Sequence, residues 1–322
     1  MTTTTAKQTR GAPERPSDTS KRVAKAIAVF KEIVLPYPRQ QLLIRELDEL
    51  RLTGMETRGE PQNGLRLLAD TGSGKTWGAK QFQRYVERLE EHPPGTRPVL
   101  IVKLDATGTP RSLFSSILTA LDDDFADKGT EQTLKRRVIQ SFKRDETQLL
   151  IIDEVHHLGK RASFGNDVTD TLKSFLDSGL VPVAFLGTEE ARGLFRSNAE
   201  LNGRLLSPCE LPPLDWSVEE DQEIFTEFAK GLDAAVVDRG ILRLPAKLGE
   251  TILAGQLCEA SNGIIGQLCR IVQEALRVAV RRSADCIAFD DLVNAVDSWS
   301  IPQGFISYNP LRGEKPPIPE KR

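Results

Sequence analysis

A glycine-rich segment that directly follows an apolar run has the residue types needed to hold a phosphate group. Residues 65–69, apolar except for Arg66, lead into Asp-Thr-Gly-Ser-Gly-Lys-Thr at positions 70–76, and a helical pattern runs from Trp77 to Leu89. Glycines let backbone N–H groups surround an anion, and the start of a helix adds the positive end of its dipole. This order of strand, glycine loop and helix therefore predicts a phosphate-binding loop.

We expect nucleotide contacts from Asp70, Thr71, Gly72, Ser73, Gly74, Lys75, Thr76 and Trp77. Lys75 would reach the β- and γ-phosphates of ATP, and the hydroxyl of Thr76 would hold Mg²⁺. Ala69 stands where the usual pattern begins with glycine; if that position requires a positive φ, alanine costs roughly 1 kcal/mol, and otherwise little. The alternative is an ordinary turn that contains a lysine, which the flanking strand and helix disfavour.

Two acidic residues at the end of another apolar run supply the second half of an ATPase pattern. Residues 149–152 are all Leu or Ile, and Asp153 and Glu154 follow them. Asp153 would belong to the Mg²⁺ shell, as in other phosphate-loop enzymes. Glu154 would orient or deprotonate the attacking water. Alone the pair fits the start of a solvent-exposed loop equally well, but together with the glycine loop it indicates ATP hydrolysis.

Polar residues after the next apolar run complete the candidate catalytic set. Thr188 is expected to bond the γ-phosphate or the water, to cap the short helix that follows, or both. Arg192, Arg196 and Arg204 come next. An arginine from a neighbouring subunit can stabilise charge on the transferred phosphoryl group, and is worth about 10³–10⁵ in rate. Arg204, just before a last apolar segment, is the preferred finger, although the choice among the three stays open and a surface role is the alternative.

Composition excludes several classes of protein. The formal net charge of −3 means that any contact with DNA must come from a local patch. Cys209, Cys258, Cys269 and Cys286 are widely spaced, and His156 and His157 lie far from them, so we expect reduced cysteines and no zinc site. The N-terminus has no apolar segment of a secretory signal, and no run approaches the ~20 residues of a membrane span. These features predict a cytoplasmic protein with no membrane contact.

Short apolar runs alternate with helical patterns from about residue 65 to 213, which predicts an α/β fold with a parallel sheet flanked by helices. Only helical patterns follow, and Ser217 with Glu220 has the spacing of a capping box. We expect a disordered tail at 1–20, a nucleotide-binding domain at 21–213, an all-helical domain at 214–298, and a C-terminal tail for partner contact at 299–322. Residues 1–40 carry eight Lys and Arg against three Asp and Glu, which suits DNA phosphates or simply a solvated arm.

At this point the motifs resemble a known family. The glycine loop, Ile-Ile-Asp-Glu-Val-His-His-Leu at 151–158 and Leu-Gly-Thr-Glu-Glu-Ala at 186–191 resemble the AAA+ ATPases. With Tyr-Pro-Arg at 37–39, they look most like the TniB/TnsC branch, which regulates DNA transposition, over about residues 30–296. The resemblance implies an AAA+ core with a C-terminal helical lid, ATP between subunits, and a ring or helical filament on double-stranded DNA. It also implies that hydrolysis disassembles the oligomer, and that a transposase and a target-selector protein are partners.

The resemblance also suggests further site residues. Tyr37 is expected near the nucleotide. Lids of this family often carry an arginine that senses the γ-phosphate; Gly266 stands there instead, and Arg270 is the candidate substitute. Expected phosphate contacts to DNA come from the elements after the second strand, namely Lys103, Thr107, Thr109, Arg111, Lys135 and Arg136, although each is equally compatible with a solvated surface residue.

Two other functions fit the same residues. One is an ATPase of the same fold that loads a helicase or replication initiator. The other is a nucleotide-gated adaptor with little hydrolysis, which is motivated by Ala69 and Gly266.

Overall fold

The computed structural model describes residues 16–104, 108–159 and 165–314. In chain order its helices and strands are α1 (Pro16–Lys31), α2 (Pro38–Glu56), β1 (Gly64–Leu68), α3 (Lys75–Leu89), β2 (Val99–Lys103), α4 (Pro110–Ala120), α5 (Glu131–Arg144), β3 (Leu149–Asp153), α6 (Gly165–Asp177), β4 (Val183–Gly187), α7 (Arg192–Ser197), α8 (Ala199–Asn202), α9 (Glu219–Asp238), α10 (Thr251–Ala260), α11 (Ile265–Arg281) and α12 (Phe289–Ala295). The chain forms two compact units: the core unit is Pro36–Pro213, and the helical unit combines the residues up to Leu35 with those from Leu214 onward.

The core unit is built on a parallel sheet with strand order β1-β4-β3-β2. Its central strands β3 and β4 are buried at every position, which explains their continuous apolar sequences. A further segment runs parallel to β1 and bridges to it at Leu205 and Cys209 without forming a regular strand. The predicted α/β sheet is thereby confirmed.

Helices cover both faces of the sheet. On one face, Leu43 and Leu47 of α2 pack with Phe82 and Val86 of α3 against the strands. The other face buries apolar residues of α4, α5 and α6, including Phe114, Val138 and Leu172. Because parallel strands all end at the same edge, this two-layer cover leaves the carboxyl ends of the strands as the place where loops converge.

The helical unit contains α9 to α12 together with the N-terminal helix α1, which packs on α11. Arg22 of α1 donates hydrogen bonds to the carbonyl of Val280 at 3.1 Å and to the hydroxyl of Ser283 at 3.1 Å. The two units divide between Pro213 and Leu214, whereas residue 20 is not a boundary in the structure. Residues 16–20 are helical, and α1 belongs to the helical unit instead of the nucleotide-binding domain. Residues 1–15 of the predicted tail lie outside the described residues.

Part of the predicted C-terminal tail is packed into the helical unit instead of being free for a partner. Asn309 is fully buried, and its side-chain amide donates to the carbonyl of Val293 at 3.1 Å and to Asp297 at 2.6 Å. Leu311 is buried, and Gln256 donates to the carbonyl of Pro310. The residues up to 314 are therefore held by their own helical unit, and the rest of the predicted tail, 315–322, lies outside the described residues.

The predicted capping box at Ser217 does not form. α9 begins at Glu219 with no side-chain cap, because Ser217 instead donates its N–H and hydroxyl to Asp215 in a turn of its own. Among the described residues, no helix is both long and apolar enough to span a bilayer.

Candidate nucleotide-binding site

The carboxyl edge of the sheet brings Lys75, Glu154 and Thr188 together, whereas Arg204, the other predicted catalytic residue, lies elsewhere. β1 ends at Leu68 before the glycine loop, β3 ends at Asp153, and β4 ends at Gly187 before Thr188. The loop connects directly to the neighbouring strand, because the N–H of Ala69 donates to the carbonyl of Gly187 at 3.1 Å. Strand ends that are between 34 and 119 positions apart in sequence therefore form one site at this edge.

The glycine loop has the backbone conformation that an anion cradle needs. Gly72 and Gly74 adopt φ values of 90° and 92°, a region that favours glycine. Ala69 is buried and is not among the residues with positive φ. The departure from the usual pattern at this position therefore costs little, and it does not argue against nucleotide binding.

Lys75 lies at the first position of α3 and turns its ammonium group back into the loop. Its Nζ donates to the carbonyls of Ala69 at 2.6 Å and Asp70 at 2.8 Å, and to the hydroxyl of Ser73 at 3.3 Å. Burial lowers the pKa of Lys75, and the nearby acidic groups, led by Asp153, offset only part of that effect. Phosphate oxygens are stronger partners for a buried cation than carbonyls, so the loop suits a phosphate chain.

Thr76 and Asp153 provide adjacent oxygen atoms of the kind that Mg²⁺ prefers. The Thr76 hydroxyl donates to Asp153 Oδ2 at 2.6 Å. Asp153 Oδ1 accepts the N–H of Glu154 at 2.9 Å, which fixes the orientation of the carboxylate. The predicted metal ligands are thus in contact across the sheet edge, and the donor set fits the ion.

Glu154 extends from a strained backbone beside two histidines. Its φ is 61°, which is uncommon for a residue with a side chain. Its Oε2 lies 3.3 Å from His156 Nε2, and the ligating atoms of Glu154, His156 and His157 lie within 4.8 Å of one another. His156 is therefore placed to influence the orientation of the predicted base.

Thr188 supplies a polar atom that the protein itself leaves unused. Its Oγ1 is buried, has no hydrogen-bond partner among the described residues, and does not cap the 3₁₀ turn at Glu189–Ala191. The predicted cap interaction is therefore wrong. A buried hydroxyl without a partner costs about 1–3 kcal/mol, so its presence at the strand ends fits a ligand that completes its bonding.

Gln40 is a site residue that sequence reasoning missed. It is buried, its Oε1 has no partner among the described residues, and its Nε2 would lie 2.6 Å from a Cβ added at Gly74. Tyr37 lies in the same place, since its hydroxyl donates to the carbonyl of Ser73 at 3.3 Å. The only sequence signal was the position of Gln40 directly after the Tyr-Pro-Arg motif.

The three candidate finger arginines occupy different positions. Arg204 donates to Asp177 at 2.9 Å, and its carbonyl accepts the N–H of Gly64, so it lies at the amino end of β1, away from its own glycine loop. Arg192 pairs with Glu189 at 2.6 Å and lines a cavity of about 250 Å³ together with Asp70. Arg204 is thus paired within its own chain and lies away from its own glycine loop, and its role as a finger stays a prediction.

Arg196 is exposed and makes no ion pair within the described ranges. Arg270 is exposed on α11 of the helical unit, and its contact with nucleotide stays a prediction.

Two other predicted nucleotide contacts lie near the start of α3. Thr71 is exposed in the glycine loop, and Trp77 is half-buried in the first turn of α3.

The residues predicted to contact DNA are not equivalent. Lys103 is exposed at the end of β2, in register with Asp153, and Arg136 is exposed on α5. The Thr109 hydroxyl caps α4 by accepting the N–H of Ser112. Arg111 donates to the carbonyls of residues 127 and 129, and Lys135 donates to the hydroxyl of residue 174 at 3.0 Å. Thr107 lies outside the described residues.

Comparisons with known proteins agree with this geometry. A family model described as "Bacterial TniB protein" matches residues 26–215, more than half of the chain. Among solved structures, the Aeropyrum pernix ORC2 protein (ADPNP-ADP complexes) matches with a TM-score of 0.63 and 13% identity, covering 84% of this chain and 71% of that chain. The A. pernix ORC1 protein in complex with DNA matches with a TM-score of 0.60 and 16% identity, covering 84% and 69%.

Drosophila ORC bound to DNA matches with a TM-score of 0.55 and 15% identity, covering 92% of this chain and 70% of that chain. Comparison with curated protein sequences gives no match. At these identities the structural similarities establish the fold, which is that of the AAA+ ATPases.

Proposed function

The chain belongs to the TniB family of AAA+ ATPases, and we propose that it hydrolyses ATP, assembles on double-stranded DNA, and recruits or activates a transposase. The observation that carries the proposal is the contact between Thr76 and Asp153, with Lys75 and Glu154 beside them. The glycine loop alone indicates phosphate binding, whereas the acidic pair alone is ambiguous. Together they join a phosphate cradle to a base at one sheet edge.

The residues divide the work of hydrolysis in the proposed reaction. Lys75 exchanges its loop carbonyls for phosphate oxygens, and the loop N–H groups hold the phosphate chain. Mg²⁺, when bound by Thr76 and Asp153, neutralises charge on the phosphates. Glu154 accepts a proton from the water whose oxygen attacks the γ-phosphorus, while the bond to the bridging oxygen breaks to give ADP and phosphate. Thr188 supplies its unused hydroxyl to the γ-phosphate or the water.

A neighbouring copy of the chain is needed to complete the site. Arg204 lies at the opposite end of β1 from its own loop, so it can reach a γ-phosphate only in the next subunit. Such a finger makes hydrolysis depend on assembly. We therefore propose a homo-oligomer, ring or helical filament, with ATP between subunits and with hydrolysis driving disassembly.

Double-stranded DNA is the proposed scaffold for this assembly. The similar ORC1 and Drosophila ORC structures contain DNA, and the similar ORC2 structure contains ADPNP and ADP. On this chain, Lys103 and Arg136 are exposed core cations that we expect to meet backbone phosphates, which would give little sequence preference and a steep salt dependence.

Replacement of the proposed base tests the enzymatic part. Glu154→Gln should lower ATP turnover by about 10²–10⁴, because a general base contributes that much, while nucleotide-dependent assembly on duplex DNA is kept. Turnover is measured as phosphate release and assembly by light scattering, with Glu190→Gln as a control on a nearby exposed carboxylate. Equal turnover in the Glu154 variant and the wild type would favour the nucleotide-gated adaptor.

Partner choice separates the proposal from a helicase loader of the same fold. Full-length protein assembled on DNA with a non-hydrolysable ATP analogue should retain a transposase encoded beside it and not a replicative helicase. Retention of the helicase alone would contradict the proposed role in transposition.

A further inference from the structure

A basic cleft lies within the helical unit, between α1 and the turns that follow α9 and α11. Its volume is about 470 Å³, and its charged lining residues are Arg22, Lys25, Arg239, Arg243 and Asp285. We propose that this cleft binds the phosphate backbone of double-stranded DNA, as a second contact in addition to the core unit. The inference rests on the proposed function, because it assumes that the protein works on DNA.

Arg22 builds one wall of the cleft. Its guanidinium bonds the carbonyl of Val280 and the hydroxyl of Ser283 at the end of α11, so it neutralises the negative end of that helix. The opposite rim is held equally firmly, since the N–H groups of Arg243 and Leu244 both donate to the carbonyl of Asp285 at 2.9 Å. The cleft is therefore a defined feature of the fold.

The other cations of the cleft are poorly neutralised. Arg243 lies 3.4 Å from Asp285, but the two side chains are 83% and 57% exposed, and such a pair contributes little. Lys25 and Arg239 are exposed and form no ion pair within the part of the chain that the structure describes. Several cations facing one cleft with a single carboxylate repel one another, and a bound polyanion relieves this repulsion.

The lining favours a nucleic-acid backbone over an acidic protein segment. Of the apolar residues that line the cleft, Leu242 and Val280 are buried at 6% and 5% exposure, and Ala26, Val29, Ile241 and Ala284 are partly buried. A peptide would therefore find little apolar surface on which to anchor a side chain, and apolar anchors supply most of the affinity in protein interfaces. Long exposed cations with little apolar floor are instead typical of phosphate contacts, which need charge without deep burial.

The cleft also contains two cations of the basic N-terminal region, whose role sequence analysis left open. Arg22 and Lys25 belong to that region, and the fold places them beside Arg239 and Arg243, more than 200 positions later in the chain. The positive patch is thus assembled from distant segments, which is why the net charge of −3 does not reveal it.

Removal of two cleft charges tests the inference. The full-length double variant Lys25→Gln, Arg239→Gln is titrated against a 30-base-pair duplex with Mg²⁺ and a non-hydrolysable ATP analogue, at several salt concentrations. Two lost phosphate contacts should weaken binding about tenfold and reduce the slope of log affinity against log salt concentration by about 2. Arg22 is left intact because it also holds α1 to α11.

A matched control removes two charges elsewhere on the helical unit. Lys230 and Lys247 pair locally with Glu227 and Glu250, and neither lines the cleft. The variant Lys230→Gln, Lys247→Gln should keep wild-type affinity and salt slope. Equal behaviour of the cleft variant and the wild type would overturn the inference while the proposed function stands, whereas absence of DNA binding by the wild type would overturn both.

Two further measurements test the proposal, one of lysine acetylation in the wild type and one of binding to an acidic peptide. Duplex DNA should protect Lys25 of the wild type from amine acetylation, as followed by mass spectrometry, and unchanged acetylation would contradict the proposal. If a labelled poly-glutamate peptide binds the wild type but not the cleft variant, while both hold duplex equally, the cleft takes an acidic protein segment and the DNA assignment is wrong.

Discussion

Two buried cations in the core unit, Lys75 and Arg51, serve opposite purposes. Arg51 of α2 is 1% exposed and is paired on every side: it makes a two-bond contact with Glu90 at 2.6 and 3.0 Å, and bonds Asp48 at 2.9 Å and Gln148 at 2.6 Å. Lys75, 8% exposed, has only loop carbonyls and one hydroxyl.

The pKa shifts of the two groups express the same difference. Burial alone would lower the pKa of Arg51, but its hydrogen bonds to Glu90 and Asp48 raise it above the ordinary value. Burial lowers the pKa of Lys75, and Asp153, Glu154 and Asp70 compensate only in part. A cation with permanent carboxylate partners stabilises the fold, whereas one with replaceable partners is prepared for a ligand.

Of the variants that test this difference, Lys75→Ala should have the largest effect, and the effect should be on ATP turnover. Loss of the ammonium group should reduce ATP turnover by at least about 10³, because transition-state charge on the phosphates loses its main protein cation. The free energy of unfolding should change by no more than about 1 kcal/mol, since a costly buried charge is removed with its bonds. Phosphate release and urea unfolding measure the two effects, and Lys80→Ala, an exposed lysine on the same helix, is the control.

Arg51→Met should show the reverse pattern. Removing the guanidinium leaves Glu90 and Asp48 without their partner, and we expect a loss of about 2–4 kcal/mol in the free energy of unfolding, because Glu90 is partly solvated and relieves some of the cost. Nucleotide affinity should stay within about twofold once folding is complete. Arg45→Met, on an exposed position of the same helix, should cost under about 0.5 kcal/mol. A large loss of nucleotide affinity in Arg51→Met would contradict the distinction between Arg51 as a structural cation and Lys75 as a ligand-binding one.

Thr188→Val tests a polar atom that the fold leaves unused. Valine keeps the shape and removes the unpaired hydroxyl, so the free energy of unfolding should stay the same or rise by up to about 1 kcal/mol. ATP turnover should fall by about 10–100-fold, the size expected for one lost bond to the reacting groups. Thr188→Ser should restore most of the turnover. A valine variant that is less stable yet fully active would show that Thr188 is structural.

The smallest expected effect is a pH dependence of stability at Glu90. Its hydrogen bond with Arg51 holds the pKa of Glu90 below the ordinary value of 4.5. The ionised Glu90 carboxylate therefore contributes fully to stability above about pH 4.5. This contribution is lost as the pH falls through the lower pKa of Glu90 in the folded state. Thermal unfolding between pH 6 and pH 3 should be less acid-sensitive in Glu90→Gln than in the wild type. An identical acid dependence would mean that the pair contributes nothing measurable.

Sequence reasoning predicted which residues lie together at the candidate site where chemistry restricts residue choice. Lys75, Thr76, Asp153 and Glu154 were identified because glycine loops and strand-end acids have fixed spacing relative to strands, and the parallel sheet confirmed that they converge. Gln40 was missed, because a buried amide behind a loop has no spacing rule. The Ser217 capping box failed for a related reason: Asp215 competed for the same donors, and only geometry decides between two capable acceptors.

Elements that depend on distant partners were the least predictable. The apolar periodicity of α1 predicts an amphipathic helix but does not identify its packing partner, so it could not show that α1 packs on α11. Asn309 and Leu311 look like parts of a polar, proline-rich tail, and only the surrounding helices make them buried.

The attachment of α1 to α11 also affects how the protein is made. Arg22 and Val280 are 258 positions apart, so α1 leaves the ribosome long before its partner exists. At about 5–20 residues per second, that delay is on the order of tens of seconds, during which the contiguous core unit can fold first. The helical unit can therefore be completed only after α11 has been made, and a fragment that begins at residue 214 would lack α1, which packs on α11.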